Sequence, residues 1–163
     1  LLLVFSSGLY KVINVTDKLF VGYDLIWLGV VENDLVFNII YRHGPENRSY
    51  AKRFRTPKFI INREYRLFEE HKRSTVQFLE LGESGVRARV SLVPSSRARY
   101  NSLDVAMDDY LVKSPSAKGK RVSNRVVRRI TSRTGKPPAP ETAPQSLPGF
   151  TPDTDGNESE AGD

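Results

Sequence analysis

The stretch Leu35-Val36-Phe37-Asn38-Ile39-Ile40-Tyr41-Arg42, followed by His43-Gly44-Pro45-Glu46-Asn47 and then Ser49-Tyr50-Ala51-Lys52-Arg53-Phe54-Arg55, decides the fold class. Its first part is a short apolar run rich in β-favouring residues, and its middle is a turn-forming cluster. In its last part Tyr50, Lys52 and Phe54 alternate with Ala51, Arg53 and Arg55, which is the period of a strand. Strand, turn and strand read as a hairpin.

The same grammar extends in both directions. Upstream, Leu1 to Phe5 and Leu9 to Val15 flank the turn Ser6-Ser7-Gly8, and Leu25 to Val31 precedes Glu32-Asn33-Asp34 as a further strand paired with Leu35 to Arg42. Downstream, Thr75 to Leu81 and Val86 to Val93 flank Gly82-Glu83-Ser84-Gly85 and read as another hairpin. In its second strand Val86, Ala88, Val90 and Leu92 face one way and Arg87, Arg89 and Ser91 the other, so that one face is apolar and the other cationic. The one stretch with helical potential is Ser123 to Ile130, and its β-branched content leaves that open. Short strands at this spacing predict an all-β sandwich, barrel or propeller-like arrangement. The segments 2–12 and 36–53 also resemble each other, each a hydrophobic strand, a Gly-containing turn and a strand with an aromatic and a lysine. Their spacing of roughly 35 to 40 residues is in the range of propeller blades.

Composition narrows the function. The chain of 163 residues has no cysteine and only two histidines, His43 and His71, which argues against a disulfide scaffold or a multi-histidine metal site. No apolar run reaches the length of a membrane span. The first residue is Leu1, already inside an apolar run, so the chain is expected to be a piece of a longer polypeptide. His43, in a turn beside Gly44, and His71, in the charged stretch Glu69-Glu70-His71-Lys72-Arg73, both read as solvated, and the carboxylate pair Asp108-Asp109 as a surface or turn feature. No phosphate-binding Gly loop, dinucleotide fingerprint or nucleophile–base pairing is present, so no catalytic centre is expected.

The charge is unevenly distributed. Residues 1–136 hold all 25 lysines and arginines with 13 acids, whereas 137–163 hold six acids and no lysine or arginine. A basic body points to a polyanionic partner. Residues 111–136 alone carry nine lysines and arginines and no acid. The candidate phosphate ligands are Lys52, Arg53, Arg55, Lys118, Lys120, Arg121, Arg125, Arg128 and Arg129, with Arg87 and Arg89 behind them. Cationic side chains beside Gly/Ser turns, as in Ser114-Pro115-Ser116-Ala117-Lys118-Gly119-Lys120-Arg121, satisfy phosphate oxygens without reading bases. From Thr134 the prolines Pro137, Pro138, Pro140, Pro144, Pro148 and Pro152 mix with small and acidic residues. Residues 1–133 are therefore expected to form the domain, and 134–163 a disordered Pro-rich acidic tail.

Tyr10-Lys11-Val12-Ile13-Asn14-Val15-Thr16-Asp17-Lys18-Leu19-Phe20-Val21-Gly22, Phe37 to Arg42, Ser49 to Phe54, and Lys118-Gly119-Lys120 with Asn124 to Ile130 resemble the C-terminal domain of the gyrase-A and topoisomerase IV class of bacterial type IIA DNA topoisomerases. The similarity is to proteins of Bacteroidetes type, and it runs over roughly residues 1 to 131. The resemblance implies a β-pinwheel of four-stranded blades, here two or three, that guides duplex DNA. It implies strand passage, with relaxation or decatenation, carried out by other domains. Mg²⁺ and ATP would be used there, with an ATP-hydrolysing B partner of the enzyme, in a bacterial, nucleoid-associated cytoplasmic setting. No catalytic tyrosine carries over to this chain. The Gln-Arg-Arg-Gly-Gly-Lys-Gly box of gyrases is absent, which favours the topoisomerase IV role. An RNA-binding β module and a protein-interaction propeller with a basic face are the alternatives that charge alone leaves open.

Overall fold

The computed structural model describes residues 1–135, and within them the chain is all-β apart from one three-residue 3₁₀ turn, Met107–Asp109. Three open sheets form, and none closes on itself. The first has the order β3 (Leu25–Gly29), β1 (Leu2–Phe5), β2 (Leu9–Val12), β6 (Glu64–Arg66). The second has the order β7 (Thr75–Leu81), β4 (Val36–His43), β5 (Arg48–Arg55), β10 (Val112–Lys113), and β11 (Lys120–Arg121) shares the outer edge of β5 with β10. The third has the order β12 (Val127–Ser132), β8 (Arg87–Leu92), β9 (Ser102–Ala106). Every pairing is antiparallel except that of β10 with β5.

One wiring rule runs through the three sheets. A hairpin (β1–β2, β4–β5, β8–β9) is followed by a connection and then by a strand that returns to the first member of that hairpin: β3 to β1, β7 to β4, β12 to β8. The connection after the second hairpin lays β6 on β2, and the one after the third lays β10 and β11 on β5. Each of the first two sheets thus borrows its last strand from the connection that follows the next hairpin. The similarity of 2–12 to 36–53 corresponds to the first two hairpins, and β8–β9 is a third that the sequence pattern does not reveal.

The hairpin expected over 35–55 forms, with an eight-residue ladder from Val36↔Arg55 to His43↔Arg48. Asn47 closes its turn at φ 51°, a left-handed conformation asparagine tolerates better than most residues, and its N–H donates to the His43 carbonyl at 2.8 Å. Two other expected pairings do not form. Leu25–Gly29 pairs with β1 and not with β4, and Thr75–Leu81 pairs with β4 and not with β8. Both turns are real, but they cross between stacked sheets. A turn signature is local and does not distinguish a hairpin from a layer change. The segment 123–130 is extended where it is regular, contributing the start of β12.

The second sheet lies between the other two. Phe37, Ile39, Tyr41, Tyr50 and Phe54 pack with Leu2, Val4, Tyr10 and Val12 of the first sheet, with Leu67 and Phe68 filling the same core. Ile40 and Ala51, from the opposite face, pack with Phe78, Val86, Ala88, Val90, Leu92, Val105 and Val127. Coverage on both faces is why β4 is buried from Val36 to Tyr41 with no polar-apolar alternation, Asn38 being its one polar interruption. Phe37, Ile39, Ile40 and Tyr41 are almost fully buried, each worth about 1.5–3 kcal/mol of apolar transfer. Among the described residues no helix is long and apolar enough to cross a membrane. The expected disordered tail lies, apart from Thr134 and Gly135, outside the described residues.

Candidate nucleic-acid interface

The fold sorts the candidate cations into three environments. Lys52 and Arg53 are inside, 3% and 7% exposed, because β5 is covered on both faces. Lys52 Nζ donates to the carbonyls of Leu67, Pro115 and Ala117, the last at 2.9 Å, and lies near the rings of Tyr41 and Phe54. Burial pushes its pKa down to about 8. Arg53 donates Nε to Asn38 Oδ1 at 2.9 Å and further N–H groups to the carbonyls of Tyr110 and Glu83, with Asp108 at 3.8 Å. Asn38 in turn donates to Gly82 O at 2.8 Å, so this network anchors the 82–85 turn. A phosphate ligand must face solvent with donors to spare. Lys52 has neither property, and Arg53, 7% exposed, does not face solvent, so both leave the set of expected phosphate ligands.

The second group is exposed and already engaged. Lys118 Nζ lies 2.6 Å from Glu46 Oε1, and Arg121 lies 3.4 Å from Glu46 Oε2. Both flank the ring of Tyr50, whose hydroxyl donates to the same carboxylate. Hydrogen bonds from Lys118 and Tyr50 hold the Glu46 pKa down to about 2. Two cations sharing one acid still leave a positive surplus, to which exposed Lys120 adds. The segment preceding these residues is pinned through its carbonyls. Pro115 and Ala117 accept from Lys52, and Lys118 O accepts from Tyr41 Oη at 2.7 Å. Gly119 then passes over β5 at φ +88°, where an added Cβ would sit 2.4 Å from the Ala51 carbonyl oxygen, so only glycine fits. Elsewhere, Arg55 pairs with Glu83 at 2.9 Å. Arg125 donates to the Val93 and Tyr100 carbonyls and to Asn101 Oδ1, clasping the loop before β9.

The third group forms the outer face of the third sheet. Register places Arg129 opposite Ser91 and Thr131 opposite Arg89, and the Arg133 N–H donates to Arg87 O at 2.8 Å. Arg87, Arg89, Arg129 and Arg133 therefore lie on one side of the sheet, away from the core formed by Val86, Ala88, Val90 and Leu92. Asp104 is the one acid among the strand residues of this sheet, and it is bidentate to Arg89 at 2.9 and 3.1 Å. The Arg89 hydrogen bond, with smaller contributions from Arg133 and Arg87, lowers the Asp104 pKa. A bulge between Val127 and Arg129 leaves Arg128 exposed beside Arg129. Arg87, Arg128, Arg129 and Arg133 make no ion pair within 4 Å among the described residues. Arg133 does not stand out in the sequence, since only cross-strand register brings it beside Arg87.

The remaining polar candidates are structural. His43 is half-buried instead of solvated, edge-on to Tyr50 and 3.6 Å from Glu46. Asp108 accepts from the Gly85 N–H at 2.9 Å within the 3₁₀ turn. Among the described residues no three His, Asp or Glu side chains are grouped so as to hold a metal ion.

Comparison with known proteins points to bacterial topoisomerases. The family model for the topoisomerase C-terminal domain of Bacteroidota matches residues 1–134. The A chain of DNA topoisomerase 4 from Borreliella burgdorferi is 28% identical over 137 residues, 79% of this chain and 20% of that protein. The chain thus spans about a fifth of the length of that curated relative. No solved structure matches.

Proposed function

The chain belongs to the topoisomerase C-terminal domain family of Bacteroidota, and from that premise we propose that it binds duplex DNA through phosphate contacts. In this reading it is the C-terminal region of the DNA-cleaving polypeptide of a type IIA topoisomerase, and it guides a DNA segment for strand passage carried out by other domains. The observation that carries this reading is the outer face of the third sheet, where Arg87, Arg89, Arg129 and Arg133 meet a single acid. Cations spaced along a strand surface match a row of phosphates, and they offer no ordered means of reading bases. Lys118, Lys120 and Arg121 form a second contact region, and Arg55 and Arg125 are peripheral. Arg128 extends the first region at the bulge.

The stacked, strand-exchanging sheets are read as part of a β-pinwheel. The parent enzyme is assigned relaxation and decatenation in the bacterial cytoplasm at the nucleoid. Its partner is an ATP-hydrolysing B polypeptide, and Mg²⁺ and ATP act in domains other than this one. The test is binding of the full chain to a labelled random duplex across a salt series, with single-stranded DNA and RNA as competitors. Duplex-preferring binding that weakens linearly in log affinity against log salt is expected, at about 0.9 per phosphate neutralised. Preference for RNA, or salt-independent binding, would overturn the assignment.

A further inference from the structure

The same hairpin is built three times in this chain, and only one of its connecting loops is lengthened. β1 and β2 are joined by three residues and β4 and β5 by four, whereas β8 and β9 are joined by the nine residues 93–101. A hairpin closes in about two to five residues, so the additional length is not needed to pair the strands. Nor does it add to the core, since Val93 and Tyr100 are 46% and 68% exposed. The loop is nevertheless held in shape. Arg125 donates to the carbonyls of Val93 and Tyr100, one at each end, and to Asn101 Oδ1 at 2.9 Å. The Ala98 N–H donates to the Ser95 carbonyl at 3.1 Å, a tight turn that puts Ser96 and Arg97 at the tip. Arg97 and Arg99 are exposed, and neither makes an ion pair within 4 Å among the described residues. No acid occurs between Glu83 and Asp104. The Arg99 guanidinium lies 5.9 Å from the Tyr100 ring centre.

We infer that residues 93–101 form a finger that places Arg97 and Arg99 in the minor groove of duplex DNA, with a preference for the narrow groove of A·T-rich sequence. The inference rests on the duplex-DNA reading above and adds a groove contact to it. The root of the finger adjoins the arginine face. The Val93 N–H donates to Val126 O at 2.9 Å, and Leu92 lies opposite Val127, just before Arg128 and Arg129. The sheet face lays cations along phosphates, and a loop carried beyond the strand ends reaches the groove that those phosphates border. Ser96 and Ala98 add little bulk beside the two guanidinium groups, which have to enter a groove about 6 Å wide. A narrow minor groove has an enhanced negative potential, and guanidinium is more weakly hydrated than ammonium, so arginine is the residue that such a groove favours. A phosphate contact needs neither the extra length nor the fixed turn, as the flat arginine face of the same sheet illustrates.

The test alters the minor groove and spares the major groove. Guanine presents its 2-amino group in the minor groove, and inosine in place of every guanine of a mixed-sequence duplex removes that group while keeping the major-groove edge. The full chain is expected to bind the inosine duplex about threefold or more tighter than its guanine counterpart. Arg97→Lys combined with Arg99→Lys, at two exposed positions, should bring that ratio below about 1.5 with the salt slope unchanged, because both charges remain. Equal affinity of the unaltered chain for the two duplexes, or a ratio that the lysine variant keeps, would overturn the inference while leaving the DNA reading standing. Absence of salt-dependent binding to either duplex would overturn the DNA reading, and this inference with it.

Discussion

Two dibasic pairs lie on strands of this molecule, Lys52-Arg53 on β5 and Arg128-Arg129 on β12, and they have opposite fates. The first is buried and bonded to main-chain carbonyls, and the second is exposed and free of ion pairs among the described residues. The difference lies in the strands that carry them. β5 belongs to a sheet sandwiched by two others, so a cation on either of its faces must find carbonyl or amide partners inside. β12 is an edge strand with one open face, and a bulge there exposes both neighbours. A basic residue on a strand is therefore a binding candidate only once the layers on each side of that strand are known.

The comparison is most sharply tested by removing the buried member. Lys52→Ala strips three buried or partly buried carbonyls of their donor, and at about 1–3 kcal/mol for each unsatisfied group it should cost at least about 3 kcal/mol in chemical denaturation. If Lys52 contacted phosphate instead, stability would hold and the salt slope of DNA binding would fall. Gly119→Ala should cost about 1–3 kcal/mol, since it forces a Cβ onto the Ala51 carbonyl at a left-handed φ. Its near-neutrality would mean that the 114–121 segment does not pass over β5 as described.

The exposed side should respond in the reverse sense. Replacing Arg87, Arg129 and Arg133 together by Gln should leave stability within about 0.5 kcal/mol per site. The same variant should flatten the salt dependence of duplex binding by about two to three units. An unchanged slope would move the contact surface to the Lys118–Arg121 region. The smallest effect is expected at Glu46, which offsets Lys118 and Arg121. Glu46→Gln should tighten duplex binding at low salt and steepen the slope by about one unit. With its pKa depressed to about 2, this carboxylate contributes its bridge fully above its ordinary value near 4.5 and loses it as pH falls toward 2. An NMR titration of the Glu46 side chain with its midpoint near 4.5 would break that assignment.

Some of this was legible from residues alone. The alternation of Val86, Ala88, Val90 and Leu92 with Arg87 and Arg89 named a half-buried strand and its cationic face, and the structure has both. The apolar run from Val36 to Tyr41 and the turn at Asn47 announced the central hairpin. Partnership over distance was not legible. The turns at 32–34 and 82–85 looked like hairpin turns, yet they connect different sheets. β6, β10 and β11 are two or three residues long and pair with strands laid down one repeat earlier, too short to leave a periodic signal.

The sequence by itself determined that the chain is β-rich, basic through residue 136 and free of cysteine, because composition and the two-residue period are local properties. It also carried the family resemblance, through blocks such as Tyr50 to Phe54. Only the tertiary structure decided which cations face solvent, because burial depends on what covers each face of a strand. It buried Lys52 and Arg53 between sheets, and it brought Arg133, far along the chain, beside Arg87 through a single antiparallel register. It also left residues 13–24 and the outer edge of β9 without strand partners among the described residues.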